Sequence, residues 1–336
     1  MTGGVCDYHS TKIAYFSTKI TKLSKMDTKQ FGNTDLKITR IGFGAWAIGG
    51  GNWEFAWGPQ DDGEAIAAIH RAFDNGMNWI DTAAVYGLGH SEELVGKAIK
   101  GLNSKPYIFT KCGLVWDDNR NVSRNLKAES IRKECEASLR RLNIEAIDLY
   151  QVHWPVDTDL EEAWAMMETL RSEGKVRYIG VSNYNIEQIG KSMKIAPVSS
   201  LQPPYSLINR DYEKIILPFC KENGIGVIVY SPMGSGLLSG SMTRERIAAM
   251  PSDDWRRNSS HFQEPALTRN LALVEKLKTI GKKYGHSAGE VAIAWTLRNP
   301  AVTAAIVGGR SAAQVDGISH AWDFELTEEE VAEIES

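Results

Sequence analysis

Short apolar segments alternate with helix-patterned segments along nearly the whole of this chain, and few folds accommodate that order. Eight runs read as strands: Ile41–Ala45, Met77–Ile80, Tyr107–Thr110, Ile147–Val152, Val176–Val181, Val198–Leu201, Gly226–Tyr230 and Val302–Val307. Between and after them, apolar residues recur at helical spacing over Asp61–Asn75, Glu92–Ile99, Ala128–Leu142, Leu160–Ser172, Asp211–Glu222, Asn270–Tyr284, Ala288–Leu297, Ala312–Ile318 and Thr327–Ile334. Asn185 followed by Gln188, and Ser287 followed by Glu290, predict capped helix starts. Strict alternation implies a parallel sheet. Eight such units in this length imply that the sheet closes into a (β/α)8 TIM barrel. The doubly wound alternative expects Gly-x-Gly-x-x-Gly after the first strand, and Gly42-Phe-Gly44-Ala-Trp46 lacks the third glycine.

Thr28–Phe31 and Leu36–Ile38 flank Gly32-Asn33-Thr34-Asp35 and predict a β-hairpin closing one end of the domain. Two connections, 113–125 and 234–267, are too long for plain turns. Both follow strands, so they lie on the face where barrel chemistry sits, as lid-like loops, the second with a short helix at Thr243–Ala249. Residues 1–25 carry Lys12, Lys19, Lys22 and Lys25 against Asp7 and have no apolar signal core; they read as a disordered extension, with Met26 as the expected start of a single domain over 26–336.

The 336 residues are 43% hydrophobic and 24% charged, with a net charge of −4. The sequence pI is about 6.0. Bulk charge makes no case for nucleic acid or an anionic membrane, and no apolar run reaches the ~20 residues a spanning helix needs. Cys6, Cys112, Cys135 and Cys220 form neither a Cys-x-x-Cys pair nor a zinc spacing, which favours a reducing, cytoplasmic setting and no metal. Cys112, beside Lys111, is a candidate reactive thiol, with a buried packing residue as the ordinary alternative.

Four polar residues sit just past strand ends: Asp81 and Tyr86 in Asn78-Trp-Ile-Asp-Thr-Ala-Ala-Val-Tyr-Gly87, Lys111 closing Tyr107-Ile-Phe-Thr-Lys, and His153 closing Ile147-Asp-Leu-Tyr-Gln-Val-His. Singly each has an ordinary reading: a cap, a solvated charge, a satisfied histidine. Strand ends of a parallel barrel converge, so together they predict one site. A phenol can protonate an alkoxide when a neighbouring ammonium stabilises its anion; Lys111 suits, with Asp81 holding the lysine and His153 directing a carbonyl oxygen. Tyr107-x-x-x-Lys111 and Tyr8-x-x-x-Lys12 match a dehydrogenase word that needs a helix. In a strand that spacing spans about 13 Å.

From about Gln30 to the C-terminus the chain resembles the aldo-keto reductases. The resemblance rests on Gly42-Phe-Gly44-Ala-Trp46, Ile80-Asp-Thr-Ala-Ala-Val-Tyr-Gly87, Phe109-Thr-Lys-Cys112, Gln151-Val-His-Trp-Pro155, Gly180-Val-Ser-Asn183, Leu201-Gln-Pro-Pro-Tyr-Ser206, Val229-Tyr-Ser-Pro232 and Gly309-Arg310, in order. It implies an (α/β)8 barrel that binds NADPH, with NADH as the alternative, at the strand ends. It also implies reversible reduction of an aldehyde or ketone, with Asp81, Tyr86, Lys111 and His153 catalytic. Histidine at 153, where double-bond reductases of the family carry glutamate, favours carbonyl reduction.

By the same resemblance Ser182, Asn183 and Gln202 hold the cofactor carboxamide and Tyr230 stacks on its ring. Gly44, Ala45, Trp46, Ser231, Met233, Gly234, Leu238 and Gly308 line its path, and Arg310 with Gln314 meets the adenosine end, Arg310 on a 2′-phosphate. Gly317 and Ile318 stand where many relatives carry an acid and Asn that read adenine. Trp46, Trp53, Trp57, Trp116 and Trp154 predict an aromatic substrate pocket, core packing being the ordinary reading for about half of them. Arg120 or Arg256 could recruit a carboxylate or phosphate. The competing functions are a cofactor-sensing binding module like potassium-channel β subunits, and a lyase or isomerase with a phosphate cup at Gly308-Gly309. The partner is a small-molecule carbonyl, with no nucleic acid or membrane; oligomeric state, physiological carbonyl and direction of flux stay open.

Overall fold

The computed structural model describes residues 1, 26–102, 104–252 and 254–336. Cys6, Tyr8, Lys12 and the proposed extension lie outside the described residues, apart from residue 1. The chain opens with an antiparallel hairpin, β1 (Thr28–Gln30) and β2 (Lys37–Thr39), as expected. The barrel strands follow: β3 (Ile41–Gly44), β4 (Trp79–Asp81), β5 (Tyr107–Cys112), then, after a second hairpin of β6 (Leu114–Trp116) and β7 (Val122–Arg124), β8 (Ile147–Val152), β9 (Val176–Ser182), β10 (Ser200–Gln202), β11 (Gly226–Val229) and β12 (Ala304–Val307). Eight of them, β3, β4, β5 and β8 to β12, close a parallel barrel in which β12 pairs with β3.

Helices α1 (Asp62–Asp74), α2 (His90–Ile99), α3 (Ala128–Leu142), α4 (Leu160–Ser172), α5 (Ile186–Met193) and α6 (Ile216–Glu222) follow the first six barrel strands. Short α7 (Arg244–Ala248) interrupts the long connection after β11, and α8 (Ala266–Tyr284) and α9 (Ala288–Leu297) lead to β12. The chain ends with α10 (Ala312–Asp316) and α11 (Glu328–Glu335). Both expected capping boxes are present, at Asn185–Gln188 and Ser287–Glu290. α6 starts later than periodicity predicts because Pro218 lacks an N–H and fits only within a helix's first turn. None of the described helices is long and apolar enough to cross a membrane.

Alternation along each strand decides what faces the barrel axis. Trp79, Phe109, Leu149, Ile228, Ala304 and Ile306 fill the interior, and Phe31, Leu36 and Ile38 of the hairpin plug its lower end. Gly42 is required there: a Cβ on it would lie 2.0 Å from the Trp79 ring. One layer higher on the same inward faces, apolar residues give way to Asp81, Lys111, Gln151 and Gln202, all buried.

Candidate active site

The barrel's upper layer assembles the predicted quartet. Lys111 Nζ donates to Asp81 Oδ2 at 2.6 Å, to the Thr82 carbonyl at 2.9 Å and to the Tyr86 hydroxyl at 3.1 Å. Asp81 accepts at its other oxygen from Gln202 Nε2 at 2.8 Å and Gln151 Nε2 at 3.4 Å. The His153 ring stands edge-on to the Tyr86 ring at 5.7 Å. Gln151 escaped the sequence reading, yet lies two residues before His153 and so on the same inward face, a signal that was available.

Electrostatics follow from burial. Burial alone pulls the Lys111 ammonium down, but Asp81 and Tyr86 together hold it above its ordinary value. Burial pushes the Asp81 carboxyl up, while Lys111 and the two glutamine amides pull against it. For Tyr86 burial is the largest influence and raises the phenol; Lys111 pulls it down, Asp81 raises it again, and the net direction is up. The expected depression by Lys111 is thus present but outweighed, and the phenol stays protonated near neutrality. His153 is driven well below the usual imidazole range by burial and then by Lys111, so it is neutral. Cys112 is buried between the Gln151 carbonyl and Met167, and burial pushes its thiol well up, which argues against the reactive reading.

A cavity of about 970 Å³ opens beside the quartet. Of the predicted cofactor residues, Gly44, Trp46, Ser182, Asn183, Gln202, Tyr230, Ser231, Met233, Gly308, Arg310 and Gln314 line it. Ala45, Gly234 and Leu238 do not: Ala45 and Leu238 are core residues, and the Gly234 α-carbon backs onto Ile208. Asn183 Oδ1 accepts the Tyr230 hydroxyl at 2.9 Å, and its amide donates to the His153 carbonyl at 3.0 Å, so these three are locked together. Gly317 and Ile318 also line the cavity.

Trp46, Trp53, Trp57 and Trp154 line it too, but Trp116 does not; it pairs with Val122 at the tip of the β6–β7 hairpin. Trp255 was not foreseen, and its ring stacks on Trp46 at 5.3 Å. Arg310 differs most from expectation. Its Nε donates to Gln60 Oε1 at 2.7 Å, and its other nitrogens bond the carbonyls of Trp57 and Pro59. The guanidinium expected on a 2′-phosphate instead fastens the loop after β3. Arg256 lines the cavity but pairs with Asp254 at 2.6 Å, and Arg120 lies outside the cavity lining, where it donates to the Asn52 carbonyl at 3.0 Å.

The family model of the aldo/keto reductase family matches residues 40–336. The chain belongs to the aldo/keto reductase family. Among its relatives, the aldo-keto reductase YhdN of Bacillus subtilis is 38% identical over 313 residues, covering 92% of each chain. The NADH-specific methylglyoxal reductase of Escherichia coli is 36% identical over 299 residues, 84% of this chain and 90% of that one. Among solved structures, a glycerol dehydrogenase from Gluconobacter oxydans superposes with a TM-score of 0.83 at 39% identity, covering 92% of this chain and 94% of its own. Aldo/keto reductase chemistry, NAD(P)H-dependent carbonyl reduction, is the reaction class of this chain.

Proposed function

We propose that this aldo/keto reductase reduces a small aldehyde or ketone with Tyr86 as the proton donor. The observation that carries the reading is the 3.1 Å contact between the Lys111 ammonium and the Tyr86 hydroxyl at the wall of a cavity. The cavity suits an anionic dinucleotide. Among its lining residues, Met233, Ser235 and Gly236 donate no backbone N–H within the described chain, and the buried Nε1 of Trp57 lacks an acceptor there. When bound, the reduced nicotinamide supplies the hydride to the carbonyl carbon.

The chain's own residues deal with the oxygen. Neutral His153 directs it by a hydrogen bond, and Tyr86 gives it a proton. Lys111 stabilises the phenolate left behind, and Asp81, Gln151, Gln202 and the Thr82 carbonyl keep the ammonium in place. Ser182, Asn183, Gln202 and Tyr230 would hold the carboxamide end of the cofactor. A raised phenol pKa suits this direction, since the acid is loaded at neutral pH.

Both NADPH and NADH are the proposed cofactors, with a modest preference for NADPH, because a 2′-phosphate would compete for Arg310 with three protein acceptors. Buried free thiols at Cys112, Cys135 and Cys220 support a reducing, cytoplasmic setting. The test is Tyr86→Phe. Aldehyde reduction should fall by roughly 100- to 10,000-fold, while NADPH titrated by fluorescence binds as in the wild type. Turnover retained in that variant removes Tyr86 from the role.

A further inference from the structure

Four arginines line the cavity, and three are committed to the protein: Arg310 to the Gln60 loop, Arg256 to Asp254 and Arg246 to Ser241. Arg124 has neither a carboxylate partner nor a hydrogen-bond acceptor among the described residues. It closes β7, and its register opposite Leu114 sets it at the base of the hairpin that flanks the quartet. Its guanidinium lies 5.2 Å over the Trp154 ring, and Trp154 directly follows His153.

A guanidinium that lies over an indole face and has no protein acceptor keeps its N–H groups available, and guanidinium can grip an oxyanion in two parallel hydrogen bonds. His153 and Trp154 are consecutive and line the same cavity as Arg124, so a carbonyl at His153 and an oxyanion at Arg124 share one site. Glu54, the cavity's other lining carboxylate besides Asp81, forms no ion pair with Arg124.

We infer that Arg124, held on Trp154, is a specificity-determining residue that selects a short aldehyde whose far end carries one oxyanion, a carboxylate or a phosphate monoester. This rests on the carbonyl-reductase reading and adds the substrate class to it. The reaction that supplies such a substrate would leave an aldehyde on an acidic or phosphorylated small molecule.

The test compares kcat/KM for matched pairs with saturating NADPH: 4-oxobutanoate against butanal, and glyceraldehyde 3-phosphate against glyceraldehyde. The wild type should favour at least one anion by about 10-fold or more; Arg124→Gln should lower that ratio by about 10- to 100-fold, and Arg124→Lys should keep part of it. Added salt should lower the ratio in the wild type and not in Arg124→Gln. The larger of the two ratios identifies the carboxylate or the phosphate.

A wild-type ratio near one, or a ratio unmoved by Arg124→Gln, overturns the inference while neutral aldehydes still turn over. If no aldehyde is reduced, the reductase reading fails instead. Tryptophan fluorescence of the NADPH-bound protein then decides the anion site: succinate should bind more tightly than succinamide, and Arg124→Gln should abolish the difference. Equal binding of the two sinks it.

Discussion

Glu134 is half-buried on α3 with two donors, the Gly113 N–H at 2.9 Å and the Ser130 hydroxyl at 3.2 Å. Burial pushes its carboxyl from 4.5 to about 7, against those bonds and the Arg141 charge. A carboxyl that titrates higher folded than unfolded binds more protons when folded, so stability falls as pH rises between those two values and is flat above them. The shift bounds the loss at about 3 kcal/mol. Glu134→Gln keeps an acceptor for Gly113 and has nothing to ionise, so its urea midpoint should lack the decline from pH 4.5 to about pH 7 that the wild type should show. An identical slope in both would remove Glu134 as its source.

No sequence pattern marks Glu134, because its partner is the backbone of a residue reached only through the fold. The quartet was legible for the opposite reason: strand ends converge in any parallel barrel, so position alone brought Asp81, Lys111 and His153 together. What position could not show was the balance of charge and burial at Tyr86, or that Arg310 would be spent on Gln60 and two carbonyls.

Among the elements, the loop after β3 is a strap in the cavity wall. Arg310 holds its Trp57–Gln60 stretch, Trp57 lies beneath the Arg256 guanidinium at 4.3 Å, and Trp46 stacks on Trp255 from the connection after β11. We propose that a bound dinucleotide has to part these contacts to leave. Arg310→Gln should therefore speed NADH release, followed by stopped-flow fluorescence, by about 10-fold, the worth of one charged hydrogen bond. NADH is the informative ligand because it has no 2′-phosphate; acceleration seen with NADPH alone would mean that Arg310 reads the phosphate and does not fasten the strap.

Sequence periodicity placed the barrel strands and most helices within a few residues, since each presents an apolar face to the core. It missed β6 and β7, whose residues are, Leu114 apart, partly or fully exposed. Their turn is built by Asp117, which accepts the backbone N–H groups of Asn119 and Asn121, each at 2.9 Å. Such a hairpin carries Leu114, Val122 and Arg124 into the cavity wall without leaving a periodic trace.

At the scale of the molecule, one end of the barrel does chemistry and the other must be closed. Phe31, Leu36 and Ile38 do the closing: all three are fully buried, and the Phe31 ring stacks on Phe109 at 5.7 Å. Phe109 lies two residues before Lys111 on the same inward face, so the plug supports the layer on which the ammonium rests. Each plug side chain is worth about 1.5–3 kcal/mol of burial. Together they approach the whole stability of a typical domain, about 5–15 kcal/mol. We propose that residues 26–336 form one folding unit beginning at Met26, which is itself buried near Gly76. A chain starting at Met26 should then match the full-length protein in Tm and kcat/KM, whereas one starting at Ile41, without the hairpin, should be insoluble or lose its cooperative melting transition. Calorimetry of the two truncations separates the outcomes: cooperative unfolding of the shorter chain at an unchanged Tm would show that the hairpin is an accessory and not the floor of the barrel.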